Sequence, residues 1–269
     1  MKKMIFTFII ILIFSSCFNN PLTGKKTMAF VDNSSLFSMS FAQYDDFIKE
    51  SNVVKNTPEA DMIVRVGGRL AQAAQILLES EEHPDYLKDY MWEFNLVQND
   101  QINAWALPGG KVVFYTGILP YAQNEAGIAV IMGHEISHAL LNHSQQRMSA
   151  GILKKIGEIG LSVLTSNQSS ETRSLVFLAY GAGTKLGGTL PFSRKHENEA
   201  DEYGLILMAI AGYNPDEGAL FWERMSKAGS GKTLETFSTH PSDGKRIKNL
   251  QNISPKAKEI AARLEQKEN

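Results

Sequence analysis

The feature that most constrains this chain is a His-Glu-Ile-Ser-His motif at residues 134–138, set within a strongly apolar stretch. Residues 128–132 before the motif and 139–141 after it carry only apolar side chains. A spacing of four places both histidines on one face of a helix, one turn apart. The apolar flanks indicate that this helix is buried, and buried histidines need polar partners. The chain must therefore fold so that one internal helix has its polar side satisfied inside the protein.

A metal ion is one good partner for such a pair. His134 and His138 together can bind Zn²⁺, and Glu135 beside them can take a proton from metal-bound water. The alternative is a pair of histidines on a solvated helix face, which the apolar flanks disfavour. A structural zinc site is also disfavoured, because such sites usually close with cysteine and the sole cysteine, Cys17, is far away in the chain.

A catalytic zinc normally has three protein ligands and one open position. We expect the third ligand within residues 193–201, a predicted helix in which Glu197 and Asp201 are again four apart. One of them can bind the metal while the other orients a ligand histidine through its second ring nitrogen. Glu199 is a rival ligand on spacing alone. A charged run of this kind is more often a solvated helix face, and only the missing third ligand argues against that interpretation.

Residues 1–16 have the layout of a secretory signal peptide, with two lysines, a run of eleven residues that is apolar except for Thr7, and two serines. A membrane span needs roughly 20 residues, so this run is too short for one. Cys17 follows directly and resembles the lipidated cysteine of bacterial lipoproteins. We expect lipidation at Cys17, and Asn19 and Asn20 favour the outer membrane. The alternative is an ordinary signal peptide, or an uncleaved anchor, with an incidental cysteine.

Composition alone indicates only that this is a globular protein. The 269 residues are 43% apolar, enough to bury the core of one fair-sized domain or two small ones. The 27 basic and 29 acidic residues give a formal charge of −2 with no basic patch, so no nucleic-acid partner is expected. We expect a tether at residues 17–35 and a single domain at residues 36–269.

The periodicity of apolar residues predicts a mainly helical α+β fold with a small antiparallel sheet. The predicted helices cover residues 36–50, 58–81, 124–148, 151–165 and 193–211. The predicted strands cover residues 90–97, 103–107 and 111–116, and a turn at 108–110 joins the last two. The glycine-rich apolar stretch 174–190 is interpreted as either a cover over the site or a second membrane contact.

Several segments, in this order along the chain, carry a resemblance to a known family: residues 20–25, 103–110, 134–143, 193–201, and 238–241 with 246–247. Together they resemble the gluzincin metallopeptidases, the family that includes the CAAX prenyl endoprotease, the membrane heat-shock protease HtpX and periplasmic lipoprotein peptidases. The resemblance implies a single zincin-like metallopeptidase domain with one Zn²⁺ per chain. It places the third metal ligand on Glu197 and the orienting carboxylate on Asp201.

The resemblance also implies residues outside the metal ligands. An edge strand that begins at Asn103 and Ala104 is expected to bind the substrate backbone beside the metal, although Asn103 is equally well interpreted as a turn residue. His240 is expected to stabilise the oxyanion, or to occupy the open metal position and hold the site latent. The alternative for His240 is a structural histidine, and Arg246 is a weaker candidate for the same charge. The remaining histidines are expected to be structural: His83, His143 and His196.

These observations predict a zinc-dependent endopeptidase that degrades misfolded or unfolded cell-envelope proteins by attack of metal-activated water. The predicted location is the periplasmic face of the outer membrane, with a lipid anchor in the membrane and polypeptides as substrates. The competing class is a non-catalytic or latent lipoprotein that acts as a chaperone or assembly factor for outer-membrane proteins. Glu135 favours the enzyme, because a pure scaffold needs no general base.

Overall fold

The computed structural model describes residues 17–164, 166, 169–170, 190–228 and 245–268. The signal-peptide segment, residues 174–189 of the glycine-rich stretch, and His240 lie outside these ranges, so the predictions for them stay predictions. Within the ranges that are described, no helix combines the length and the apolarity needed to cross a membrane.

Helices make up most of the described chain, as the periodicity predicts. They are α1 (Asn33–Glu50), α2 (Pro58–Ser80), α3 (Leu119–Ala122), α4 (Glu125–Leu140), α5 (His143–Leu164), α6 (Leu190–Ile210), α7 (Glu217–Ala228) and α8 (Arg246–Glu268). Helix α2 illustrates how the local sequence favours a helix. Thr57 caps it by accepting a hydrogen bond from Ala60 N, and Pro58 occupies the first turn. Its predicted apolar stripe is buried throughout: Ile63, Val66, Leu70, Ala73, Ala74 and Leu77.

The strands form a two-stranded hairpin and a four-stranded sheet. The hairpin consists of β1 (Cys17–Asn19) and β2 (Lys26–Met28). The sheet contains β3 (Val53–Val54), β4 (Glu93–Val97), β5 (Ala104–Leu107) and β6 (Lys111–Tyr115), in the order β3-β4-β6-β5. Strand β5 therefore lies at an edge, as predicted.

The sheet is mixed, so the prediction of an antiparallel sheet was wrong for one pair of strands. Strands β4 and β6 are parallel, whereas β3–β4 and β5–β6 are antiparallel. After β4 the chain passes the far end of β6, where Asn99 O accepts a hydrogen bond from Gly117 N, and returns along β5. A turn through Gly109 and Gly110, both at positive φ, then reverses the chain. Strand β6 consequently enters between β4 and β5, parallel to β4.

The central strand β6 is buried along its whole length and divides the core into two parts. Val112 and Phe114 lie in the main core with residues of α2 and α4. Val113 and Tyr115 lie on the opposite face with Tyr44 of α1, as the two-residue period of a strand requires. The sheet thus separates α1 from the helices that build the site.

The helix predicted at residues 124–148 is two helices. Helix α4 is capped by Asn124, whose side chain accepts a hydrogen bond from Gly127 N, and it ends at Leu140. Asn142 then adopts a positive φ of 55°, a conformation that asparagine tolerates better than most residues. This turn starts α5 at His143. Neither glycine nor proline occurs at residues 141–148 to mark the break, so the prediction ran one helix across it.

Residues 17–35 are part of the folded structure and not only a tether. Asn20, which is 1% exposed, donates a hydrogen bond of 2.9 Å from Nδ2 to Leu140 O at the end of α4. Nζ of Lys25 lies 2.7 Å from Glu199 Oε1 on α6. The N-terminal hairpin is therefore docked against the two helices that carry the predicted metal ligands.

Helices α4 and α6 cross with their backbones almost in contact. A Cβ atom added to Gly133 would lie 2.8 Å from Gly204 O, and one added to Gly204 would lie 2.9 Å from His134 N. Any side chain at either position would have to displace main-chain atoms. The two glycines therefore permit the approach that brings the histidine motif close to Glu197.

We expect Gly204→Ala to lower the free energy of unfolding by about 1–3 kcal/mol, because its methyl group can only displace backbone. The shift of α6 should also weaken metal binding by moving Glu197 away from the histidines. Urea denaturation measures the first effect. Gly68→Ala is the control, since a Cβ there meets nothing within 4 Å and alanine favours a helix. Equal stability of the two variants would contradict the tight crossing.

Candidate metal centre

Three ligand atoms from two helices converge in the core of the protein. His134 Nε2 lies 3.0 Å from His138 Nε2 and 3.3 Å from Glu197 Oε2. His138 Nε2 lies 3.4 Å from Glu197 Oε1. All three residues are buried, and their ligand atoms form a cluster that can hold a metal ion. The structure thus brings together the three residues that the sequence and the resemblance singled out as ligands.

The separations between these atoms suit zinc. In a tetrahedral site with ligands at about 2.0–2.1 Å from the metal, neighbouring ligand atoms are about 3.3–3.4 Å apart. The distances of 3.0, 3.3 and 3.4 Å match this value to within a few tenths of an ångström. Two imidazoles and one carboxylate are also the donor types of a catalytic zinc site that keeps one open position.

Three buried carboxylates and one buried guanidinium surround the ligand atoms. Glu135, Glu197, Asp201 and Arg246 are each no more than 6% exposed. Carboxylates beside two imidazoles are a donor environment that suits a divalent cation.

Asp201 fixes the orientation of His134. The Nδ1 atom of His134 lies 2.9 Å from Asp201 Oδ1, on the side of the ring opposite the other ligands. Burial opposes charge on His134, but hydrogen bonds to Asp201 and Glu197 outweigh it and raise the pKa of His134 to about 9. Burial also opposes charge on Asp201, but Arg246 and His134 hold its pKa below the usual value. The charged carboxylate keeps a proton on Nδ1 and leaves Nε2 directed at the metal site.

Arg246 holds Asp201 in place. Its Nε donates to Asp201 Oδ2 at 2.8 Å and its Nη2 donates to Asp201 Oδ1 at 2.6 Å. The guanidinium carbon lies 3.7 Å from the centre of the Trp222 ring, in cation–π geometry. Nη1 lies 3.6 Å from Glu197 Oε2 and has no hydrogen-bond partner within the described ranges. The sequence suggested Arg246 only as a group near the oxyanion, and no local pattern revealed its pairing with Asp201.

A second histidine cluster supports the other ligand, His138. Its Nδ1 lies 2.8 Å from His143 Nδ1, and His143 Nε2 lies 3.4 Å from Glu199 Oε2. The rings of His143 and His196 stack at 4.0 Å with 11° between their planes. Burial lowers the pKa of both histidines, that of His196 to about 3. Glu199, the rival ligand, therefore faces His143 and Lys25, and sequence reasoning missed the contact between His143 and His138.

The edge strand begins beside the candidate site. Ala104, the first residue of β5, lines the same small cavity as His134 and Glu135. The rest of that cavity is apolar and is lined by Ile118, Val130, Ile131, Phe221 and Trp222. Asn103 Oδ1 accepts a hydrogen bond of 3.0 Å from Ala104 N, so this side chain shapes the start of the strand. Substrate contacts of Asn103 and Ala104 stay a prediction.

Two histidines on one buried helix, a glutamate on a second helix and a further carboxylate beside them define a metallopeptidase of the gluzincin class. Comparison with known protein families agrees, since residues 63–254 match peptidase family M48. The chain therefore belongs to peptidase family M48.

Individual relatives include both mitochondrial and bacterial proteins. The chain is 36% identical to the mitochondrial metalloendopeptidase OMA1 of Schizosaccharomyces pombe over 173 residues, which are 64% of this chain and 49% of that protein. It is 29% identical to human metalloendopeptidase OMA1 over 252 residues, 90% of this chain and 46% of that protein. It is 30% identical to the beta-barrel assembly-enhancing protease of Escherichia coli over 167 residues, 60% of this chain and 34% of that protein.

The chain thus spans half or less of the length of these relatives. The match confirms the family that the sequence motifs indicated. The finer resemblance to the CAAX, HtpX and lipoprotein branches is not confirmed, because the relatives are OMA1 proteins and the beta-barrel assembly-enhancing protease.

We expect zinc affinity to fall as the pH falls. Because the pKa of His134 is about 9 in the metal-free site, this histidine holds a proton at lower pH that the metal must displace. Competition for a single proton predicts about tenfold weaker binding per pH unit between about pH 8 and pH 6. Competition with a chromophoric chelator, calibrated at each pH, measures the affinity. A constant affinity over this range would contradict the proton on His134.

Proposed function

We propose that the protein is a zinc-dependent endopeptidase in which His134, His138 and Glu197 bind the metal and Glu135 is the general base. The observation that carries the proposal is that the two buried imidazole nitrogens lie 3.0 Å apart and each lies within 3.4 Å of one carboxylate oxygen of Glu197. Two ligands come from adjacent turns of α4 and the third from α6, which crosses it, so the set is preorganised. Zinc in this site supplies Lewis-acid activation of water and of a substrate carbonyl.

Glu135 and Asp201 have different roles in the proposed reaction. Glu135 accepts a proton from water as the water oxygen attacks the scissile carbonyl carbon, and passes it to the departing amine nitrogen as the C–N bond breaks. No acyl-enzyme forms in this reaction. Asp201, itself held by Arg246, keeps His134 oriented throughout. The cavity beside Glu135 is bounded by apolar residues and by Ala104, which limits the access of bulk water.

The position of strand β5 at the edge of the sheet supports the proposal that the substrate is a polypeptide. Tyr115 N donates to Asn103 O, so the alternation of an antiparallel pair directs the backbone groups of Ala106 away from β6. An extended peptide can add to such an edge as a further strand, with little dependence on its side chains. Because β5 begins beside Glu135, a peptide bound along this edge passes the candidate metal site.

We further propose that the substrates are misfolded or unfolded proteins of a bacterial cell envelope. The signal-peptide layout of residues 1–16 supports export, and Cys17 supports a lipid anchor on the periplasmic face of the outer membrane. The likeness to the beta-barrel assembly-enhancing protease supports a role near β-barrel proteins. The likeness to the OMA1 metalloendopeptidases supports the peptidase activity, but these relatives are mitochondrial and do not support the envelope location.

We expect Glu135→Gln to slow cleavage of unfolded casein by about 100- to 10,000-fold, because the amide cannot accept the proton of water. Zinc content should remain at about one ion per chain, since glutamine has the same size and residue 135 is not a ligand. Fluorescent casein measures the rate, and elemental analysis measures the zinc. A chelator should abolish cleavage by the unsubstituted protein.

Glu125→Gln is the matched control, in the first turn of the same helix, where the carboxylate pairs with Arg65 at the surface. It should cleave casein at close to the unsubstituted rate. Cleavage by Glu135→Gln at that rate would show that another group is the base. Stoichiometric zinc with no cleavage by the unsubstituted protein would instead favour the latent or chaperone-like alternative.

A further inference from the structure

The break between α4 and α5 brings a third histidine, His143, against the metal site. The chain reverses at Asn142, which has a positive φ, so His143 lies against His138 although it is only five residues further on. Their Nδ1 atoms are 2.8 Å apart. His143 is fully buried, and its ring stacks on His196. The position of this ring is therefore fixed on the side of His138 that faces away from the other ligand atoms.

Proton counting shows what this contact does. A neutral imidazole carries one proton, on either Nδ1 or Nε2. His138 can offer the Nε2 lone pair to a metal only if its proton is on Nδ1, and that proton then donates to His143 Nδ1. With Nδ1 acting as acceptor, His143 must carry its own proton on Nε2. The tautomer of one ring thus determines the tautomer of the other.

Glu199 selects one of the two arrangements. Its Oε2 lies 3.4 Å from His143 Nε2, and a carboxylate oxygen can accept a hydrogen bond but cannot donate one. Lys25 Nζ at 2.7 Å and Lys195 Nζ at 3.9 Å, both from Glu199 Oε1, keep this carboxylate charged. The opposite arrangement would place a lone pair of His143 against the carboxylate and a proton on the metal-facing nitrogen of His138.

We propose that His143 is a positioning residue for the metal ligand His138, and that Glu199 sets the tautomer of His143 so that the Nε2 lone pair of His138 faces the metal. The inference rests on the proposed metal site. It adds that the site has two orienting carboxylates, Asp201 for His134 directly and Glu199 for His138 through an intervening ring. Because Lys25 belongs to the N-terminal hairpin, the second carboxylate also connects that hairpin to the metal site.

The test compares His143→Leu with His143→Asn in the full chain purified in detergent. Asparagine places Oδ1 where histidine has Nδ1, so it can still accept the proton of His138, whereas leucine has nearly the same shape and no acceptor. Both variants lose the stacking on His196. Zinc affinity is measured by competition with a chromophoric chelator. We expect His143→Leu to bind zinc about 10- to 100-fold more weakly, and His143→Asn to retain most of the affinity.

Equal affinities for His143→Leu and the unsubstituted chain, or equal losses in both variants, would overturn the inference. If His143→Leu does not fold, Glu199→Gln replaces it, because an amide can also donate to His143 Nε2 and so removes the selection. Glu199→Gln should weaken zinc binding, whereas Glu202→Gln on the same helix, where the carboxylate pairs with Lys256, should not. An unchanged affinity of Glu199→Gln would then overturn it.

Zinc binding by the unsubstituted chain and by His138→Ala distinguishes failure of this inference from failure of the proposed function. If His138→Ala loses zinc binding and neither His143 variant changes it, the metal site is supported and only the role of His143 is refuted. Absence of zinc binding by the unsubstituted chain overturns the metal site and this inference together.

Discussion

The near contact between the backbones of α4 and α6 is the constraint on which the rest of the site depends. A Cβ atom at Gly133 or Gly204 would fall within 3.0 Å of main-chain atoms of the other helix, so the separation is already at its minimum. One helix supplies two histidines on adjacent turns, and the other supplies Glu197 and Asp201, four residues apart. Only at this separation can both carboxylates reach His134, one at each of its ring nitrogens. The sheet and α2 hold the other flank of α4 and leave its polar side to α6.

The crossing buries several acidic side chains close together. Arg246 forms a bidentate pair with Asp201, and Glu135 and Glu197 are buried beside them. A buried ion pair seldom stabilises a protein more than apolar packing of the same volume would. The position of these acidic side chains around the candidate metal centre fits the proposed role in binding a divalent ion, which would add to stability by mass action. Under the proposed function, folding, metal affinity and catalysis depend on the same few residues.

The sequence predicted the parts of the site whose members are close in the chain. The two histidines and the pair formed by Glu197 and Asp201 follow a helical spacing of four, so local periodicity was enough to place each pair on one face. Contacts that depend on a single backbone angle or on distant residues could not be predicted. The positive φ of Asn142 ended a helix at a point that no glycine or proline marks. The pairing of Asp201 with Arg246 spans 45 residues, and the parallel pairing of β4 with β6 reflects the order in which strands enter the sheet and not their composition.

The central claim is that one metal ion binds between α4 and α6, and diffraction at the zinc absorption edge tests it most directly. Crystals of the zinc-loaded protein should give one anomalous peak at about 2.0–2.2 Å from His134 Nε2, His138 Nε2 and an oxygen of Glu197. Asp201 should remain on the far side of His134, outside the coordination sphere. A peak at any other place in a crystal of zinc-loaded protein, or one that lacks any of these three ligands, would contradict the account.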